Sequence, residues 1–211
     1  MKSILRLLPI LAMLFSCDLL EKSSVSSTSI GGDGNLEMNK AGTTYYSYVK
    51  IGSTNYNANS TITVLSNDNG VVTVQVKATL PPNIAALVPA TYKDATGKLS
   101  ANLKYKNTSE GILDYTVKDN QPFVLVNYSS SVGDQYVLQK NDGTTITRTV
   151  TAKSTVDDFP YGMLLIKTMT VEQSSNVPGL RKIIYKANHK FALVQIQLLW
   201  DDGTTTTIDF L

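Results

Sequence analysis

The chain has 211 residues, with 19 Lys+Arg against 17 Asp+Glu, one histidine and one cysteine. That near-neutral balance gives no general attraction to nucleic acid. One cysteine excludes an internal disulfide framework, and one histidine beside it excludes the usual zinc ligand sets. Thr, Ser, Val and Tyr are abundant while Glu and Ala are modest, which favours strands over helices.

The chain opens Met1-Lys2-Ser3-Ile4-Leu5-Arg6, a positively charged start, and continues apolar from Leu7 to Phe15 with Pro9 inside the run. The run is too short to span a bilayer, which needs about 20 apolar residues. A basic start, a short apolar core and a small residue, Ser16, describe a secretory signal peptide over residues 1–16.

The stretch Leu14-Phe15-Ser16-Cys17 resembles the lipobox of bacterial lipoproteins: an aliphatic residue, two mostly small ones, then cysteine. Leu14 and Ser16 fit that pattern, and Phe15 is bulkier than usual. The resemblance implies cleavage before Cys17, diacylglycerol on the Cys17 sulfur and acylation of the new amine. Asp18 and Glu21 resemble the export signal of surface lipoproteins in Bacteroidetes-type bacteria. The expected location is the cell envelope, lipid-anchored at the outer membrane, with periplasmic and surface sides both open. Removal of Lys2 and Arg6 with the leader leaves 17 basic against 17 acidic side chains, so the apparent positive charge belongs to the leader.

Residues 17–42 are rich in Ser, Thr and Gly and carry no apolar period. They read as the lipidated cysteine followed by a flexible tether. From residue 43 to 211 strand signals repeat. Residues 45–51 form a first strand. Residues 60–66 and 71–79 form a hairpin across Asn67-Asp68-Asn69-Gly70; in its second arm Val72, Val74, Val76 and Ala78 alternate with polar residues, the period of a strand with one wet face. The run 80–89, bounded by prolines, breaks the pattern and has room for one helical turn, either as an apolar lid over a cavity or as a plug at one end of the core.

Residues 99–105 and 111–117 predict another hairpin, and 123–128 a short strand. Residues 135–140 and 144–153 pair across Asn141-Asp142-Gly143. In the second arm Ile146, Arg148, Val150 and Ala152 share a face that is not cleanly apolar, so a half-exposed strand is expected. Residues 157–162 read as a loop, and 163–173 as one strong strand, apolar on both faces at its start. Residues 181–186 and 191–200 turn at Asn188-His189, and Val194, Ile196, Leu198 and Trp200 on one face give the clearest buried-strand signal. A final strand covers 204–210.

The expected fold is all-β: antiparallel meander and hairpin strands forming a barrel, half-barrel or sandwich. Tyr105-Lys106-Asn107 and Tyr185-Lys186-Ala187 echo each other, so two related β units, near 43–128 and 134–211, are one way to build it.

No catalytic constellation stands out. His189 sits in a turn, no Gly-x-Ser-x-Gly elbow is present, and the paired acids Asp157-Asp158 and Asp201-Asp202 point to opposite faces wherever the backbone is extended. The acidic turns faintly resemble calcium loops, but hairpin chemistry explains them more simply. Neither enzyme activity, a metal nor a cofactor is expected. Tyr46, Tyr48 and Trp200 are the candidate ligand-binding residues, as aromatics that stack on sugar rings, with burial in the core as the competing role.

The principal reading is therefore a non-enzymatic, membrane-anchored envelope lipoprotein whose β domain meets a glycan, a protein or an apolar ligand, and no nucleic acid. A second is a lipid carrier similar to lipocalins or lipoprotein-receptor half-barrels, although the Gly-x-Trp lipocalin signature is missing. A hydrolase with a dispersed acidic site is the third.

Overall fold

The computed structural model describes residues 28–116 and 121–211. Cys17 and the leader lie outside them. Fourteen strands follow one another: β1 (Thr44–Ile51), β2 (Thr54–Asp68), β3 (Val71–Ala78), β4 (Leu99–Thr108), β5 (Gly111–Asp114), β6 (Phe123–Asn127), β7 (Gln135–Gln139), β8 (Thr145–Lys153), β9 (Phe159–Tyr161), β10 (Leu164–Ile166), β11 (Met169–Ser174), β12 (Leu180–Asn188), β13 (Ala192–Trp200) and β14 (Thr205–Phe210). Twelve of them form one antiparallel sheet in the order β6-β5-β4-β3-β2-β1-β14-β13-β12-β11-β8-β7, and β9 and β10 form a separate hairpin.

Within the large sheet each strand pairs with the next along the chain except β6 and β7, and the first and last strands pair with each other through Ser47 opposite Phe210 and Ile51 opposite Thr206. The sheet curls until its two edges, β6 and β7, lie side by side without a backbone ladder between them. The result is a nearly closed barrel. Near-closure leaves little unpaired edge, the main hazard of a long antiparallel sheet.

Alternation decides what fills it. Phe123, Tyr136, Val150, Val171 and Ala187 are fully buried in the largest apolar cluster. Val64, Val72 and Val74 form a second cluster along β2 and β3. β8 is half-exposed, as its mixed faces lead one to expect, and of its residues only Arg148 and Val150 are buried, Arg148 being only 2 % exposed. The guanidinium is acceptable there because every side of it is matched: Asp114 and Gln173 accept at 2.7 and 2.8 Å, the carbonyl of Val124 accepts at 3.1 Å, and the Phe123 ring lies 4.3 Å away.

Both ends of the barrel are covered. At one end α1 (Pro82–Leu87) drops Ile84 against Leu180 and Trp200. The proline-bounded run is thus an end plug. The opposite end is covered by residues 28–42. Ile30 and Met38 pack into the main core, Asn39 is fully buried and donates to the carbonyls of Gly34 and Asn107, and Asp33 and Ser109 exchange two hydrogen bonds. This corrects the expectation of a tether running to residue 42: from Thr28 onward the segment belongs to the domain. Its low apolar content misled because only two apolar side chains, Ile30 and Met38, dock it, together with the buried Asn39 amide and backbone hydrogen bonds.

A second correction concerns residues 163–173. They form not one strand but β10 and β11, with Lys167 and Thr168 between. Their start is apolar on both faces because it belongs to the β9–β10 hairpin, which packs outside the barrel. Pro160, expected in a loop, sits in that two-stranded ribbon, where every strand is an edge and the missing N–H costs nothing.

Candidate functional site

Tyr46 and Tyr48 alternate along β1 with Tyr45, Ser47 and Val49. The latter set turns inward, so both candidate tyrosines stand on the outer face, each more than half exposed. Trp200 does not join them. It lies in the core at the plugged end, where its indole N–H donates to Thr206 Oγ1 at 2.9 Å. The phase that aligned it with Val194 and Ile196 already placed it inside, so Trp200 is removed from the binding candidates. Cys17 lies outside the described residues.

Register extends the site across three further strands. Tyr48 is opposite Asp209 on β14, Asp209 is opposite Gln195 on β13, and Gln195 is opposite Lys186 on β12. These four share one outward row. The β9–β10 hairpin lies over that row: the Phe159 ring is 4.9 Å from Lys186 Nζ, and Tyr161 packs on Phe191 with ring centroids 4.6 Å apart. Gln195 is accordingly buried although its row faces outward.

Between hairpin and sheet a cleft of about 380 Å³ remains, walled by Tyr48, Phe159, Tyr161 and Phe210 with Gln195 and Asp209 among its polar groups. Gln195 Nε2 donates to Asp209 Oδ1 at 2.7 Å. A carboxylate only accepts, so the amide nitrogen must face Asp209. The other amide atom, Oε1, is then committed to the opposite direction, where it is buried without a partner. That oxygen has no accessible surface, so it is an unmet acceptor inside the wall of the cleft, not on its lining. Burial also raises the Tyr161 phenol above its ordinary value.

A larger cleft, about 570 Å³, lies at the plugged end between Tyr56, Lys77, Pro82 and Asp94. Its acidic group is tied into its own turn: Asp94 Oδ1 accepts from the Thr96 amide, the Thr96 hydroxyl and the Lys98 amide. These bonds, the Thr96 hydroxyl first, hold its carboxyl below the usual range. The acidic turns behave alike, with the Asp202 carboxylate held by the Thr204 amide and hydroxyl. His189 is exposed in the β12–β13 turn, edge-on to Tyr128. Among the described residues no group of three or more His, Cys, Asp or Glu is placed to hold a metal, and no helix is long and apolar enough to cross a membrane.

Sequence reasoning missed Gln195, Asp209, Phe159 and Tyr161. Gln195 alternates with Val194 and Ile196, so periodicity marks it as a wet residue. Only the hairpin folding over it makes it a site. No protein-family model matches this chain, and neither the curated proteins nor the solved structures contain a match to it.

Proposed function

We propose that this chain is a non-enzymatic envelope lipoprotein, held at the outer membrane by lipid on Cys17, whose barrel binds a glycan in the cleft between β9–β10 and the sheet. The observation that carries the binding role is the aromatic-walled cleft itself, with Tyr48 exposed at its rim beside the Asp209 carboxylate. Sugars present hydroxyl donors beside flat apolar faces, which match the Asp209 carboxylate set among Tyr48, Phe159 and Tyr161. The cleft contains one acidic side chain, Asp209, and it is engaged by Gln195. Glycoside hydrolysis ordinarily uses two carboxylates, so binding is the better reading. Carriage of a lipid inside the barrel draws no support from an interior occupied by Arg148, Tyr136, Phe123 and their neighbours.

The test is a glycan array probed with the Cys17→Ala protein. Retained glycan, lost in both Tyr48→Ala and Gln195→Leu, is the expected result. An array with nothing bound, or equal binding by all three proteins, overturns the glycan assignment. The anchor is tested separately: Cys17→Ala should move the protein from the membrane to the soluble fraction, and unchanged membrane retention would remove the basis for the lipid.

A further inference from the structure

Antiparallel register places several segments at one end of the barrel. They are the start of β1, the Ser109-Glu110 turn, residues 128–134, residues 154–168, the His189-Lys190 turn and the end of β14. Residues 28–42 cover this same end, fixed by Asp33 to Ser109 and by Asn39 to Asn107. Chain extends at most about 3.6 Å per residue. Thr28 therefore lies within about 40 Å of Cys17 however the intervening residues run, so a lipid on Cys17 is joined to the barrel through this end.

The same end carries the most exposed apolar side chains. Met163 is fully exposed, and Val132, Val156, Leu164 and Leu165 are each more than half exposed. Folding does not require the apolar character of the hairpin tip. The side of the hairpin that packs on the barrel is supplied by Phe159, Tyr161 and Ile166. Gly162, with φ of 57°, makes the tight turn that thrusts Met163 outward. Met163 at the turn and Leu165 on the side of β10 away from the barrel are exposed together, and Leu164 is exposed on the other side of the same tip. Charge adds nothing to the attraction, because Lys153, Lys167 and Lys190 share this end with Glu110, Asp134, Asp157 and Asp158.

We propose that this end is a membrane-contact face: the β9–β10 tip, Met163-Leu164-Leu165, enters the interfacial layer of the bilayer to which Cys17 is anchored, with Val132 and Val156 beside it. The inference rests on the lipoprotein reading. Its consequence for function is orientation. A barrel held by lipid and hairpin together stands in a fixed attitude, with its plugged end pointing away from the membrane.

The experiment uses the full-length lipoprotein carrying Met163→Cys, labelled with a thiol-reactive, polarity-sensitive dye and reconstituted in vesicles of phosphatidylethanolamine and phosphatidylglycerol. Lipid occupies the Cys17 sulfur, so the new thiol is the one that labels. Val177→Cys, at the plugged end, is the reference. The expected result is a blue-shifted emission and several-fold weaker quenching by iodide at position 163 than at position 177. Equal quenching at the two positions in vesicle-bound protein overturns the membrane face while leaving the anchor intact. A dye shielded in native membranes but not in these vesicles does the same, and identifies a protein as the cover. A chain that stays in the aqueous fraction and takes dye at Cys17 overturns the anchor itself, and this inference with it.

Discussion

Arg148 on β8 donates through Nη2 to Asp114 Oδ2 on β5 at 2.7 Å, passing beneath β7 and β6, the two strands that share no backbone ladder. Its Nη1 also donates to the carbonyls of Phe123 and Val124 on β6. Around it Tyr136 Oη accepts from the Asn127 amide, and Lys153 Nζ donates to the carbonyls of Tyr128 and Ser130. Side chains therefore close the seam that backbone hydrogen bonds leave open.

Breaking that pair leaves a buried charge uncompensated, so Asp114→Ala should destabilise the protein by about 3–5 kcal/mol. Arg148→Ala should cost a comparable amount, because it unfastens β6 as well. Combining Arg148→Ala with Asp114→Ala should cost clearly less than the sum of the single losses. Urea unfolding in a double-mutant cycle measures this, and simple additivity would show that the two residues do not act as a unit.

Burial raises the phenols of Tyr105, Tyr128 and Tyr185 above their ordinary value of about 10, with the nearby Asp114 carboxylate adding to the rise at Tyr105. In the unfolded chain these groups ionise near pH 10 while the folded chain keeps them protonated. Below that pH both states hold the proton and stability is unaffected; above it the unfolded state binds fewer protons, and stability falls as pH rises. The urea midpoint should be level from about pH 8 to about pH 9.5 and drop steeply by about pH 11. A level midpoint through that range would contradict the burial of these rings.

Trp200 is the chain's single tryptophan and reports on the plugged end. Its native emission should be blue-shifted and poorly quenched. Ile84→Ala should cost about 2–5 kcal/mol and shift the emission of the folded protein to the red, since Ile84 covers the indole. Trp200→Phe leaves the Thr206 hydroxyl without its donor and should cost about 1–3 kcal/mol. Native emission unchanged by Ile84→Ala would mean that α1 does not shield the ring.

Gly34 and Gly70 touch backbone to backbone, and a Cβ on Gly34 would overlap Gly70 Cα. Gly34→Ala should therefore lift residues 28–42 from the end of the barrel. The expected readout is faster proteolytic cleavage within that segment while the resistant fragment beginning near β1 persists. Cleavage at the wild-type rate would show that the segment docks without this contact.

The strands of the barrel were legible because their signals are local. Val72, Val74 and Val76 state a period, and Asn69-Gly70, with φ of 51° and 86°, states a turn. Of the candidate site, Tyr48 was legible from strand phase. Trp200 was named for its chemistry although its phase pointed inward. Gln195 was hidden, because its burial depends on a hairpin that is distant from it in sequence.

By itself the sequence determined an all-β meander and the inward or outward sense of most of its strands, since turn chemistry and a two-residue period act between neighbours. It also supplied the lipobox-like Leu14-Phe15-Ser16-Cys17, a motif read without any fold. Only the tertiary structure decided that the sheet curls until β6 meets β7, that Arg148 fastens this seam, that residues 28–42 dock, and that β9–β10 roofs a cleft over Gln195. Each of these joins residues far apart along the chain, and no local period records which distant side chains will come to share one volume.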